Sequence, residues 1–147
     1  MTDLSIVIPT YQRCDSLRQV LLACAGQTLP PERYEVIVAI DGSNDETISM
    51  LAQFDAPYHL RWTNGPNAGP GAARNRGAAL AQGDVILFLD DDIILTAEAL
   101  AEHLAGHEAG GDVVCLGQVQ VWPERPLSHW EQYLNQRYDE HYAKMNQ

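Results

Sequence analysis

The chain has 147 residues, about the size of one ordinary domain, and apolar residues make up 46% of it, which excludes a disordered, charge-rich polymer. Its formal charge of −11, from 20 acidic against 9 basic residues, disfavours nucleic acid as a partner, because affinity for polyphosphates comes largely from Lys and Arg displacing counterions. No basic leader precedes the first strand, the longest apolar runs fall far below the ~20 residues that span a bilayer, and Cys14, Cys24 and Cys115 form no even disulfide set, so a cytoplasmic protein without a membrane span and with reduced packing thiols is expected.

Short apolar runs alternate with amphipathic stretches. Residues 4–9 read as a buried strand, and 16–27 as a helix with Leu17, Val20, Leu21 and Cys24 on one face. Residues 34–40 are the next buried strand; the turn formers Gly42, Ser43 and Asn44 lead into a short helix over 45–54, followed by a strand over 58–63. Residues 64–71 carry three glycines and two prolines and must be loop. The Ala-rich segment 72–82 is a helix that Gly83 stops, and 84–89 is a strongly apolar strand. Thr96 can cap a helix over 97–108, residues 113–121 read as a strand, and Ser128 with Glu131 makes a capping box for a final helix rich in Trp, Tyr and charge. This alternation predicts an α/β sandwich with a mostly parallel sheet, in which Pro9, Asp41 and Asp90 each end a strand and converge on one edge of the sheet.

The chemistry concentrates in three places. The strand over 84–89 runs straight into Asp90, Asp91 and Asp92 with no basic neighbour in the sequence. Like charges so close raise one another's pKa, and Mg²⁺ or Mn²⁺ relieves the repulsion with hard oxygen ligands; an aspartate at a strand end also simply turns the chain or caps the next segment. Asp41, with Gly42, Ser43 and Asp45, follows the second strand, where it is either an ordinary turn or a carboxylate set to accept a nucleobase N–H. The glycine-rich loop through Asn67, Gly69 and Gly71 delivers Arg74 and Arg76 near the start of a helix, where guanidinium can grip phosphate or a base; a solvated basic face is the plainer alternative. His103 and His107, four apart, read as surface residues.

Pro9, Thr10 and Tyr11 after the first strand, Asp41-Gly42-Ser43, the segment from Asn67 and Gly69 to Ala73, Arg74, Asn75 and Gly77, and Phe88 to Asp92 together resemble, in order and spacing over residues 4–95, the family-two glycosyltransferases of the GT-A fold. The resemblance implies a GT-A (Rossmann-like) three-layer α/β sandwich, inversion at the anomeric carbon of a nucleotide-diphospho-sugar, and a diphosphate leaving while bound to Mn²⁺ or Mg²⁺. It places Pro9, Thr10, Tyr11, Asp41 and Gly69 around the nucleotide, Arg74 on the base or phosphate side, Asp90 and Asp91 on ribose or sugar, and Asp92 with Asp90 on the metal, with a UDP-sugar the favoured donor and the acceptor unassigned. Ile40 stands where the family pairs a further aspartate. The family's general base lies in a later segment with no equivalent found before Gln147, so residues 1–147 are expected to be one domain, incomplete at its C-terminus, with a donor site but no base, and with an open sheet edge favouring self-association. A non-catalytic nucleotide- or metal-binding module, and another α/β enzyme such as a nucleotidyltransferase or phosphatase, stay open as alternatives.

Overall fold

Two of the apolar runs of the sequence become the two central strands. In the computed structural model, which describes residues 2–108, 113–120 and 126–145, β1 (Leu4–Thr10) and β2 (Tyr34–Ile40) are buried along their whole length, as parallel strands covered on both faces must be. β3 (His59–Asn64) pairs with β2 and β4 (Val85–Phe88) with β1, giving a parallel sheet of order β3-β2-β1-β4. The chain divides into two compact units, residues 1–113 and 114–147, and the sheet lies in the first.

Successive residues of a strand face opposite sides of the sheet. On one side Leu4, Ile6 and Ile8 of β1 and Val36, Val38 and Ile40 of β2 pack with α1 (Cys14–Ala25), α2 (Thr47–Gln53) and α4 (Ala99–His107), whose buried contributions include Leu17, Leu21, Leu51 and Leu100. On the other side lies α3 (Pro70–Ala78). A Cβ on Gly77 would stand 2.5 Å from Val7 Cγ1 and 3.3 Å from Ala39 Cβ, so the helix approaches the sheet as only glycine allows. The result is the expected three-layer α/β sandwich.

Boundaries differ where distant partners intervene. Helix α1 begins at Cys14 rather than residue 16, because the Cys14 N–H donates to Asp45 Oδ2 (3.2 Å), a cap supplied from beyond β2. Helix α3 spans Pro70–Ala78 where 72–82 was expected, with proline in its first turn. Strand β4 is shorter than expected and only half covered: Val85 and Leu87 pack on the core, while Ile86 and Phe88 on the opposite face are 40% and 49% exposed. Residues 113–120 form no strand, a correction to the reading of 113–121; residue 121 lies outside the described residues. A strand needs a ladder partner, and this segment is instead tied by side chains to α5 (His129–Met145): Tyr142 Oη donates to the Gly117 carbonyl (2.8 Å) and Gln118 Nε2 to Asp139 Oδ1 (2.7 Å). The capping box of α5 forms as expected, with Glu131 accepting from the Ser128 N–H (2.8 Å).

Glu35 puts a fully buried carboxylate at the start of β2. It accepts hydrogen bonds from Ser5 Oγ (2.7 Å), the Gln82 N–H (2.8 Å) and the Arg61 guanidinium. Burial alone would push this carboxyl up, but these donors outweigh it and hold it below its ordinary value of 4.5. A depressed folded-state value stabilises the fold above the ordinary value and is lost as the pH falls through it. Urea unfolding is therefore expected to show stability declining below pH 4.5, and Glu35→Gln to flatten that acid slope while costing about 3–5 kcal/mol near neutral pH, the range for breaking a buried pair.

Candidate functional site

Strand order places the site. β1, β2 and β3 step outward in one direction, and the chain then returns to lay β4 on the other side of β1. In open parallel sheets the crevice at such a switch, beyond the carboxyl ends of the strands, is where ligands bind. Thr10 ends β1, Asp41 follows β2, and Asp90 to Asp92 follow β4.

The β1 and β4 ends are joined by a buried hydrogen bond. Thr10 Oγ1, 3% exposed, donates to Asp91 Oδ2 (2.8 Å), and Asp91 is 7% exposed. Arg13 Nη1 donates to Asp91 Oδ1 (3.2 Å), and Ser16 Oγ donates to the Asp91 carbonyl (2.6 Å). With Asp91 drawn inward, its two neighbours stay outside: the side chains of Asp90 and Asp92 are 56% and 53% exposed. Each holds a guanidinium, Asp90 that of Arg74 and Asp92 that of Arg13 (Nη1 to Oδ2, 2.6 Å). The three carboxylates, which have no basic neighbour in the sequence, are therefore paired with two arginines brought from other segments, cations that the sequence reading did not place beside them. The same pairing raises the pKa of Arg13, through its hydrogen bond to Asp92 first and the charge of Asp91 next. Among the described residues no group of three or more His, Cys, Asp or Glu side chains is assembled to hold a metal ion.

Asp41 is 4% exposed, and both its oxygens are engaged. Oδ1 accepts from the Ala68 N–H (3.1 Å) and Arg76 Nη2 (3.2 Å), and Oδ2 from the Gly69 N–H (2.8 Å). The Ala68 N–H foremost, with the further help of Arg76 and the Gly69 N–H, holds this carboxyl below its ordinary range. Asp41 thus pins the loop leading to α3, where Gly69 turns at φ +89, a conformation that favours glycine. Arg76 Nη2 also donates to the Ile40 carbonyl (3.0 Å).

The β1–α1 turn completes the rim. Pro9 is buried within β1, while Tyr11 is 47% exposed and its hydroxyl accepts from Gln12 Nε2 (3.0 Å). Gln12 itself stands at φ +52, uncommon for a residue with a side chain, and its N–H donates to Ser43 Oγ (2.9 Å), joining the loops after β1 and β2. Beside this turn opens a cleft of about 440 Å³ lined by residues 12–16 with Asp45 and Glu46. Thr10, Tyr11, Asp41, Gly69, Arg74 and Asp90 to Asp92 all come to this end of the sheet. Arg13, Ser16, Ser43 and Arg76 were not singled out for these contacts by their sequence context, since each acts on a partner tens of residues away. His103 and His107 do not join them; His107 Nδ1 lies 2.7 Å from the His103 carbonyl oxygen within α4.

The profile of the family described as "Glycosyl transferase family 2" matches residues 5–146. The "Uncharacterized glycosyltransferase YfnE" of Bacillus subtilis is 32% identical over 142 residues, which cover 96% of this chain and 35% of that protein. The crystal structure of Staphylococcus aureus TarS 1–349 in complex with UDP-GlcNAc superposes with a TM-score of 0.69 at 28% identity, covering 74% of this chain and 32% of that one; the complex with UDP gives the same figures. The mannosyltransferase PcManGT from Pyrobaculum calidifontis, solved with GDP-Man and Mn²⁺, has a TM-score of 0.67 at 22% identity, a likeness of fold alone. The chain spans about a third of the length of these proteins.

The Thr10–Asp91 bond is open to direct test. Thr10→Val keeps the shape but leaves a buried carboxylate oxygen without its donor, and is expected to cost about 1–3 kcal/mol in chemical denaturation. Thr10→Ser, which keeps the hydroxyl, is expected to retain most of that stability.

Proposed function

This chain belongs to glycosyl transferase family 2, and from that premise we propose that it holds the donor site for a nucleotide-diphospho-sugar, with UDP as the nucleotide, and serves sugar transfer to an acceptor hydroxyl with inversion. The observation that carries the reading is the inward pull on Asp91 by Thr10, which leaves Asp90 and Asp92 outward at the switch point of the sheet. The likeness to TarS, solved with UDP and UDP-GlcNAc, supports the choice of donor.

In this reading Pro9, Thr10 and Tyr11 border the base from β1. Asp41 acts there through the loop it pins, its Ala68 and Gly69 amides already being bound. Arg74 lies between the nucleotide and Asp90, and Asp90 turns from its guanidinium to ribose or sugar hydroxyls. The loop pinned by Asp41 and the turn joined by Ser43 are held before the donor arrives and contribute orientation.

The residues also fit a divalent cation shared with the donor. Asp92 offers a half-exposed carboxylate, and the Arg13 guanidinium already stands there as a cation between Asp91 and Asp92. Mg²⁺-type ions are commonly held by one or two carboxylates with substrate phosphates rather than by an all-protein cage, which suits a site with fewer than three gathered ligands. When bound there, Mn²⁺ or Mg²⁺ would stabilise the charge on the leaving diphosphate. We assign no general base among the described residues, so what these side chains account for is the donor half of the reaction.

Calorimetric titration of UDP into the chain tests the reading. Saturable binding in Mn²⁺ that weakens by about tenfold or more in EDTA or in Asp92→Ala is expected. A folded chain that binds UDP equally with Mn²⁺ and with EDTA, or binds none in either, would overturn it.

A further inference from the structure

Arg13 holds an unusual place. It is the residue that enters α1, yet it supplies no side-chain cap to that helix. Its backbone neighbours are fixed from elsewhere, Gln12 by Ser43 and Cys14 by Asp45. Its guanidinium, with the side chain 52% exposed, is therefore delivered on a held stem to Asp91 and Asp92.

The two carboxylates hold it on unequal terms. Asp91 is buried and also bound by Thr10 and, through its carbonyl, by Ser16, so it stays where it is. Asp92 is half exposed, and exposed ion pairs contribute little, so the Arg13–Asp92 contact is the cheap one to exchange. An incoming divalent cation needs that same carboxylate and is repelled by the guanidinium already on it. A diphosphate removes both obstacles at once, because it brings ligands for the cation and an anion that guanidinium binds well.

We propose that Arg13 is the resident counter-cation of the donor site: it holds Asp92 in the ligand-free chain, yields it to the cation that enters with a nucleoside diphosphate, and passes to the diphosphate while keeping Asp91. Arg13 is in this sense a positioning residue that makes cation and nucleotide bind together rather than separately. The inference rests on the donor-site reading above, since it takes Asp92 to be the carboxylate that meets the cation.

The test counts free Mn²⁺ by its electron paramagnetic resonance signal in titrations of the intact chain, with and without UDP. Wild type, Arg13→Gln, Arg13→Met, Arg13→Lys and Asp92→Asn are compared after thermal unfolding and circular dichroism have shown which are folded. Without UDP, Arg13→Gln and Arg13→Met are expected to bind Mn²⁺ roughly three- to tenfold more tightly than wild type, the scale of an exposed ion pair removed together with a like-charge repulsion. Arg13→Lys is expected to return toward wild type. The factor by which UDP tightens Mn²⁺ binding is expected to shrink in Arg13→Gln, and by linkage so is the factor by which Mn²⁺ tightens UDP binding; a purely structural role would leave both factors unchanged. Folded Arg13→Gln or Arg13→Met that binds Mn²⁺ no more tightly than wild type overturns the proposal. If Asp92→Asn still weakens Mn²⁺ binding in that case, the donor-site reading stands without it; if Asp92→Asn has no effect in any background, the donor-site reading itself fails.

Discussion

The site depends on how one buried carboxylate is satisfied. Asp91 is almost wholly covered, and burying a carboxylate is costly unless it is paired and hydrogen-bonded. Thr10 from the end of β1 and Arg13 from the turn after it meet that demand, while Ser16 from the first turn of α1 holds the Asp91 backbone carbonyl. The same three contacts fix the ends of two strands that are adjacent in space but far apart in sequence. Three consecutive aspartates are thereby given two fates: the middle one becomes structural, and the outer two remain free to exchange partners.

Electrostatic pairing runs through the whole edge of the sheet. Asp41 has Arg76, Asp90 has Arg74, and Asp91 with Asp92 shares Arg13. Against a chain carrying −11, these local pairs keep the site near balance. In the proposed reading, a nucleoside diphosphate arriving with a divalent cation would change the partners more than the charge, because released guanidiniums would meet phosphate and released carboxylates the cation. Such an exchange would involve the half-exposed Asp90 and Asp92, whose ion pairs contribute little, and would leave the buried Asp91 with its own partners.

Much of this was legible in the sequence, and the limits have physical causes. The apolar runs at 4–9 and 34–40 marked buried strands, and the spacing of Leu17, Val20, Leu21 and Cys24 marked the buried face of α1. Local periodicity reports such features because neighbours along the chain share them. The start of α1 and the partners of the aspartates were not legible, since the cap comes from Asp45 and the counter-charges from Arg13 and Arg74, all set by tertiary approach. Asp41 stands out in the sequence at the end of a strand, but its engagement by the loop amides of Ala68 and Gly69 depends on the path of a glycine-rich segment that carries no periodicity. Residues 113–120 have strand-like side chains, yet composition does not supply a ladder, and the segment is held to α5 instead, through Tyr142 on the Gly117 carbonyl and Gln118 on Asp139.

Helix α3 shows how backbone geometry allots charge. Arg74 and Arg76 are two residues apart, which turns their side chains about 200° from one another around a helix axis. One reaches Asp90 on the β4 side and the other reaches Asp41 and the Ile40 carbonyl on the β2 side. A helix can serve both only if it lies between them and close to the sheet, and Gly77 permits that by leaving no Cβ to meet Val7. A larger residue there would lift α3 from β1 and β2 and draw both arginines away from their carboxylates together. The glycine that looks like a packing detail is thus the condition under which the carboxylates after β2 and β4 are both paired from a single helix.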